Sequence, residues 1–193
     1  MKIGSRTNQL LCLVAAAFAL AASAPALAQG ASQGGASATT GKLTFDNGEY
    51  DGQIRDGMPD GYGVYVFKSG NRYEGQFRNG VKEGRGKFSW AASGNRYDGE
   101  WKADARTGKG LFVWANGDRY DGQWVDNKSS GYGVQIWANG DRYEGQWAND
   151  MAHGQGTKKS ADGRVYSGVW NNGCFRQGDR WSTAGVSRQD CGF

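Results

Sequence analysis

The chain has 193 residues and a formal charge of +4, with 33 glycines, 8 tryptophans, 9 tyrosines, 8 phenylalanines, three cysteines and one histidine. Arg72, Arg96, Arg119 and Arg142 are each followed two residues later by Asp or Glu, so there is no polybasic patch for nucleic acid or anionic lipid, Lys158-Lys159 being a weak exception. One histidine and no cysteine cluster exclude the usual metal sites, and no cofactor is expected.

Residues 1–28 read as a signal peptide. Lys2 and Arg6 precede an apolar stretch of 11 residues from Leu10 to Leu20, and Ala26-Leu27-Ala28 is a small-x-small site that places cleavage between Ala28 and Gln29. The apolar stretch is short for a membrane span, and Cys12 follows Leu11 rather than a small residue, which argues against a lipid-modified terminus. The expected location is outside the cytoplasm, periplasmic or secreted. Loss of Lys2 and Arg6 leaves a mature charge of +2. Residues 29–41 are rich in Gly, Ala, Ser and Thr, carry no charge and read as a flexible linker.

From Lys42 the chain is periodic, and residues 42–175 read as one repeat array. Tyr50, Tyr73, Tyr97, Tyr120, Tyr143 and Tyr166 recur at spacings of 23, 24, 23, 23 and 23 residues. Two residues after each comes glycine, and two further on comes Ile54, Phe77, Trp101, Trp124, Trp147 or Trp170. A Gly-x-Gly follows in each full copy, as in Gly61/Gly63 and Gly131/Gly133. A fixed period of this length marks an array of identical supersecondary units. Each unit holds two short alternating runs, which are strands.

The face of each strand follows from the loop between copies. A three-residue loop, Ala138-Asn139-Gly140, pairs Trp137 with Asp141, Gln135 with Tyr143 and Gly133 with Gly145. The same register pairs Tyr65 with Tyr73, and so puts Phe67, Tyr65, Tyr73 and Phe77 on one face with only glycines between them; a slip of one residue would scatter them. The extra residue of the second copy falls in the loop Ala91–Gly94 and keeps Phe88 opposite Tyr97. At the start, Asn47-Gly48 suits a two-residue type I′ turn with Phe45 opposite Tyr50. Paired glycines leave a trough on the aromatic face for neighbouring rings. The other face carries charge pairs, Lys87 opposite Asp98 and Arg85 opposite Glu100, and reads as a solvated surface.

The fifth copy is polar where others are aromatic, with Lys158 and Ser160, as befits the end of an array. Residues 176–193 leave the pattern and read as a tail or cap. Cys174 and Cys191 are the cysteines that survive cleavage; in an oxidising compartment they favour a disulfide, a reactive pair being the alternative.

The pattern Tyr-x-Gly-x-Trp, a loop, Gly-x-Gly and then x-Gly-Asp-Arg, as in Tyr120–Trp124, Gly131-Tyr132-Gly133 and Asn139–Arg142, resembles the MORN repeat over residues 42–174. The resemblance implies an all-β fold, a single elongated, twisted antiparallel sheet of successive β-hairpins. At about 4.8 Å per strand, six copies of two strands would extend on the order of 50 Å. It also implies a scaffold or spacer role in protein assembly, with lipid-headgroup binding in some relatives. The methyltransferase or lipid-kinase domains of larger relatives have no counterpart here. One departure is that the glycine usual seven residues after Tyr is Asp104, Asn127 and Asp150 in three copies.

No chemistry is expected. His153 occupies a position held by Asp60, Glu83, Thr107 and Ser130 in other copies, so it is a loop residue, and none of the Gly-x-Gly pairs leads into a phosphate-binding helix. The reading that remains is a non-catalytic exported scaffold for protein–protein interaction in the cell envelope. The alternative is a glycan or phospholipid headgroup on the aromatic face, with Trp124, Trp137 and Trp147 stacking on sugar rings. The candidate face comprises Tyr73, Phe77, Tyr97, Trp101, Trp114, Tyr120, Trp124, Trp137, Tyr143 and Trp147. Exposed strand edges also allow self-association.

Overall fold

A computed structural model describes residues 39–192; the leader with its Ala28–Gln29 site, and residues 29–38 of the linker, lie outside the described residues. Fourteen strands follow in order: β1 (Thr39–Phe45), β2 (Gly48–Arg55), β3 (Met58–Phe67), β4 (Arg72–Arg78), β5 (Val81–Ser89), β6 (Arg96–Lys102), β7 (Ala105–Val113), β8 (Arg119–Val125), β9 (Lys128–Ile136), β10 (Arg142–Ala148), β11 (Met151–Lys159), β12 (Val165–Asn171), β13 (Cys174–Gln177) and β14 (Arg180–Thr183). Each pairs with the next, antiparallel, in a single sheet. The one helical piece among the described residues is a 3-10 turn at Gln189–Cys191.

Both ends differ from the boundaries read in the sequence. β1 starts inside the stretch assigned to the linker, where Thr39, Thr40 and Gly41 pair with Ile54, Gln53 and Gly52. At the other end the tail contributes β14, which pairs with β13 from Cys174↔Thr183 to Gln177↔Arg180.

Two kinds of turn alternate along the sheet. Within each copy the hairpin closes through two residues that both have positive φ: Asp56-Gly57, Asn79-Gly80, Ala103-Asp104, Asp126-Asn127, Asn149-Asp150 and Asn172-Gly173. That is type I′ geometry, whose twist matches that of the strands. Asp104, Asn127 and Asp150, which replace glycine, hold φ of 67°, 68° and 68°, a conformation that short polar side chains tolerate. Their oxygens also accept from the previous turn, from the N–H of Lys82, Arg106 and Ser129 at 2.9, 2.9 and 2.7 Å. Between copies the loops follow the expected register. Trp137 N–H donates to Asp141 O at 2.9 Å, Tyr143 faces Gln135, Tyr65 faces Tyr73, and Phe88 faces Tyr97 across the longer loop.

The first turn is a correction. Phe45 pairs with Gly48 and Tyr50 with Leu43, so the turn is Asp46-Asn47 rather than Asn47-Gly48. Neither turn residue has positive φ. Gly48 is wanted in β2 instead, because a Cβ there would sit 2.6 Å from the Tyr65 ring and 2.9 Å from Phe67 Cα. The shift is two residues, so Phe45, Leu43 and Tyr50 still share a face.

The pairing produces a row of facing glycines from Gly41 in β1 to Gly168 in β12, one per strand. The trough is filled by the tyrosine of the same copy. A Cβ on Gly122 would lie 2.6 Å from Tyr120 Oη, and one on Gly133 2.6 Å from its Cζ. The register slips by two residues just past the tyrosine strand's glycine, as between Gly122↔Gly133 and Trp124↔Ser129, where the following strand carries the extra residues of a β-bulge. The tyrosine hydroxyl donates to the carbonyl of the residue at the bulge on its own strand: Tyr73 to Gln76 at 2.9 Å, and Tyr97, Tyr120 and Tyr143 to Glu100, Gln123 and Gln146 at 3.1 Å.

Candidate functional site

One face of the sheet carries nearly all the rings, and they fall into two rows. The inner row is Tyr50, Tyr73, Tyr97, Tyr120 and Tyr143, with Phe77, Trp101, Trp124, Trp147 and Trp170 wedged between them. Phe77, Trp101, Trp124 and Trp147 each meet two tyrosines edge to face, and Trp170 meets Tyr143: Trp124 is 5.5 Å from Tyr97 and 5.2 Å from Tyr120, and Trp147 is 5.2 Å from both Tyr120 and Tyr143. The indole N–H groups of Trp101, Trp124, Trp147 and Trp170 donate to Gly86, Gly110, Gly133 and Gly156 carbonyls at 3.0–3.2 Å. These rings are buried and their polar atoms are committed to the fold.

The outer row is more accessible. Phe45, Tyr65, Phe67, Phe88, Trp90, Phe112 and Trp114 run on in ring-to-ring contacts of 4.4–5.8 Å. Tyr65, Phe88 and Phe112 are buried, while Phe67, Trp90, Trp114 and Trp137 are only partly covered. Thus of the ten residues expected to form a face, Tyr73, Phe77, Tyr97, Trp101, Tyr120, Trp124, Tyr143 and Trp147 lie in the inner core, and Trp114 and Trp137 lie in the accessible strip. Trp90 belongs to that strip too; it sits in its copy where Trp114 and Trp137 sit in theirs.

Cations enter this face, which the sequence reading did not single out. Lys82 Nζ lies 5.3 Å from the Trp101 ring centroid and 2.6 Å from the Asp104 carboxylate. The Arg106 guanidinium lies 4.4 Å from the Trp124 centroid, and its Nη2 donates to Asn127 O at 2.7 Å. Burial pulls the Arg106 pKa down from its usual value. In the fifth copy Lys158, 8% exposed, meets Asp141 at 2.8 Å and donates to Thr183 O at 2.7 Å.

That last bond belongs to the tail, which folds onto the end of the aromatic face. Phe175 packs on Trp170 and Tyr166 at 5.3 and 5.9 Å, Ala184 N–H donates to Gly173 O at 2.7 Å, and Gly185 approaches Trp137. Cys174 and Cys191 are joined in a disulfide with Cα atoms 5.6 Å apart.

The opposite face is polar with scattered apolar residues. Lys87 stands 3.6 Å from Asp98, and the Tyr62 and Tyr132 hydroxyls donate to Glu74 and Glu144 at 2.6 and 2.5 Å. The bonds from Tyr62 and Arg72 hold the Glu74 carboxyl below its usual range. Among the described residues no group of three or more His, Cys, Asp or Glu could hold a metal ion. The carboxylates named so far are engaged in turns, hydrogen bonds and ion pairs.

A sequence model described as the MORN repeat matches residues 50–72, 73–94, 97–119, 120–142 and 143–163. A search of curated proteins finds no match. Among solved structures the chain is similar to the SAS-4 (dCPAP) TCP domain of Drosophila melanogaster, solved in complex with a proline-rich motif of Ana2 (dSTIL), with 15% identity, a TM-score of 0.43, and coverage of 77% of this chain and 88% of that one.

Proposed function

The chain belongs to the MORN repeat family, a non-enzymatic repeat type, and on that premise we propose that it is an exported scaffold that holds a protein partner along its outer aromatic strip. The observation that carries this reading is the strip of Phe67, Trp90, Trp114 and Trp137, partly uncovered beside a core that is already closed. The inner row satisfies its own polar atoms and packs against itself. Large rings left half-covered in a line beyond it are the kind of surface that marks an interaction site. Tryptophan also anchors protein interfaces more often than its abundance predicts. The leader read in residues 1–28 supports a location in the cell envelope.

The test uses mature protein on beads with envelope extract, with peptidoglycan and phospholipid vesicles run in parallel sedimentation assays. The expected result is capture of a protein by the wild type and by Tyr132→Ser on the opposite face, and loss of capture in Trp90→Ser/Trp114→Ser at an unchanged fold by circular dichroism. Co-sedimentation with peptidoglycan or vesicles that depends on the same two tryptophans, without protein capture, would replace the protein reading with the glycan or lipid one.

A further inference from the structure

The copies supply each other's missing pieces as templates. In the second copy Lys82 lies 5.3 Å from Trp101 and 5.9 Å from both Tyr73 and Phe88, with Asp104 as its counter-ion at 2.6 Å. In the third, Arg106 takes the same place, 4.4 Å from Trp124, 5.1 Å from Phe112 and 5.8 Å from Tyr97. In the fourth copy Tyr120, Trp147 and the turn acid Asp150 are all present. Ser129, however, stands where the cation belongs, and Gln135 where the phenylalanine belongs. What results is an open pocket of about 230 Å³ into which Trp114, Trp124 and Trp137 also face.

Two further observations say what the pocket lacks. Asp118 lines it from the other side; its counterpart in the next copy, Asp141, is neutralised by Lys158 at 2.8 Å, whereas Asp118 and Asp150 form no ion pair among the described residues. Gln135, 6% exposed, lines this space in place of a ring. Two carboxylates and several ring faces line an apolar-walled space, with Arg106 on the far ring Trp124 and Lys158 on Trp137 but no cation over Trp147 among the described residues, and ring faces beside carboxylates are the environment an alkylated cation prefers.

We propose that this pocket is a cage for the arginine or lysine side chain of a protein partner. The cation stacks on Trp147 and Trp124 as Arg106 does on Trp124, and Asp150 and Asp118 supply its counter-charge. The cage itself stands on the comparison between copies; that the cation comes from a protein rests on the partner-binding reading of the adjoining strip.

The experiment titrates the full folded protein with acetyl-Gly-Ser-Arg-Ser-Gly-amide, with the same peptide carrying citrulline for arginine, and with N-acetyl-arginine amide, read by tryptophan fluorescence and calorimetry. The arginine peptide is expected to bind about tenfold or more tightly than the citrulline peptide, and to weaken with Asp150→Asn, whose shape the turn accepts at Asn127. Ser129→Arg places the cation back in the chain, so it is expected to raise Tm and abolish peptide binding. Absence of saturable binding at millimolar peptide, equal binding of the citrulline peptide, or unaltered binding in Ser129→Arg overturns the cage. Equal affinity for free N-acetyl-arginine amide and for the peptide overturns the protein source. Peptide binding that persists while capture by the tryptophan strip fails sinks only the reading of the preceding subsection.

Discussion

Tyr50, Tyr73, Tyr97, Tyr120 and Tyr143 are at most 1% exposed, yet each reaches across a glycine pair to the carbonyl that stands at a bulge. This is the economy of the repeat. The ring buries over backbone, which only glycine leaves bare, and the hydroxyl satisfies the carbonyl that the bulge takes out of the ladder. Burial, the largest cause in every case, raises the pKa of all five, to about 12 for Tyr50 and Tyr143. An unfolded tyrosine ionises near pH 10. Folded-state pKa values above that mean that the stability these rings contribute is fully present below pH 10, and is lost as pH rises through 10 towards 12 and beyond. The expected outcome is a denaturant midpoint that is flat from pH 7 to 9 and falls steeply above 10, with the tyrosinate absorbance of the folded protein lagging behind that of the unfolded chain. Overlapping absorbance titrations would contradict it. The tyrosine–glycine–tryptophan period makes the aromatic face legible in the sequence, because alternation fixes which side each ring takes. The hydroxyl-to-bulge bond is not legible, since it needs a backbone irregularity that composition does not announce.

At the scale of the hairpin, the turns carry the links between copies. Asn127 Oδ1 accepts from Arg106 N–H at 2.9 Å and its own N–H donates to Arg106 O at 3.1 Å, joining one I′ turn to the last. Asn71, Asn95, Asp118 and Asp141 do the same on the other side, accepting from the N–H of Ala91, Ala115, Ala138 and Ala161 at 2.7–3.0 Å. Asn127→Ala loses the side-chain acceptor and puts a Cβ residue at φ near 68°, so it is expected to cost about 2 kcal/mol. Asn127→Gly loses the acceptor but relaxes the backbone, and is expected to recover about half of that in urea denaturation. Equal stability of the two variants would show that backbone strain plays no part. The replacement of glycine by Asp104, Asn127 and Asp150, a departure in the sequence, is thus a gain of a cross-copy bond. The register was legible because loop lengths leave few ways to gather the rings. The first turn was not: Asp46-Asn47 makes it without positive φ, and Asn47 Oδ1 takes the Tyr65 hydroxyl instead. The cage of the fourth copy was hidden for another reason. It is made by what Ser129 and Gln135 are not, and shows only when copies are superposed through their contacts.

At the scale of the molecule, the sheet has no second layer among the described residues, so each strand depends on its neighbours and the ends decide how far fraying reaches. β12 shares only Trp170↔Phe175 and Asn171↔Cys174 with β13, where earlier copies pair along most of the strand. The tail makes up the difference from above, through Thr183 O on Lys158, Arg180 Nη2 on Val165 O at 2.6 Å, and Phe175 on Trp170. The Cys174–Cys191 bond closes this segment over a separation of 17 residues. In the chain-entropy picture a loop of that length contributes about 3 kcal/mol. Because coupling passes only between neighbours, the effect of Cys191→Ser should be graded along the chain. Amide exchange is expected to accelerate strongly in β12 to β14, moderately in β11, and hardly at all in β2 to β5, while Trp170 fluorescence responds before the rest of the inner row on heating. Acceleration spread evenly from β2 to β14 would mean that the sheet unfolds as one cooperative unit and that the cap guards the whole of it; no acceleration anywhere would mean that Lys158, Arg180 and Phe175 hold the end without the bond.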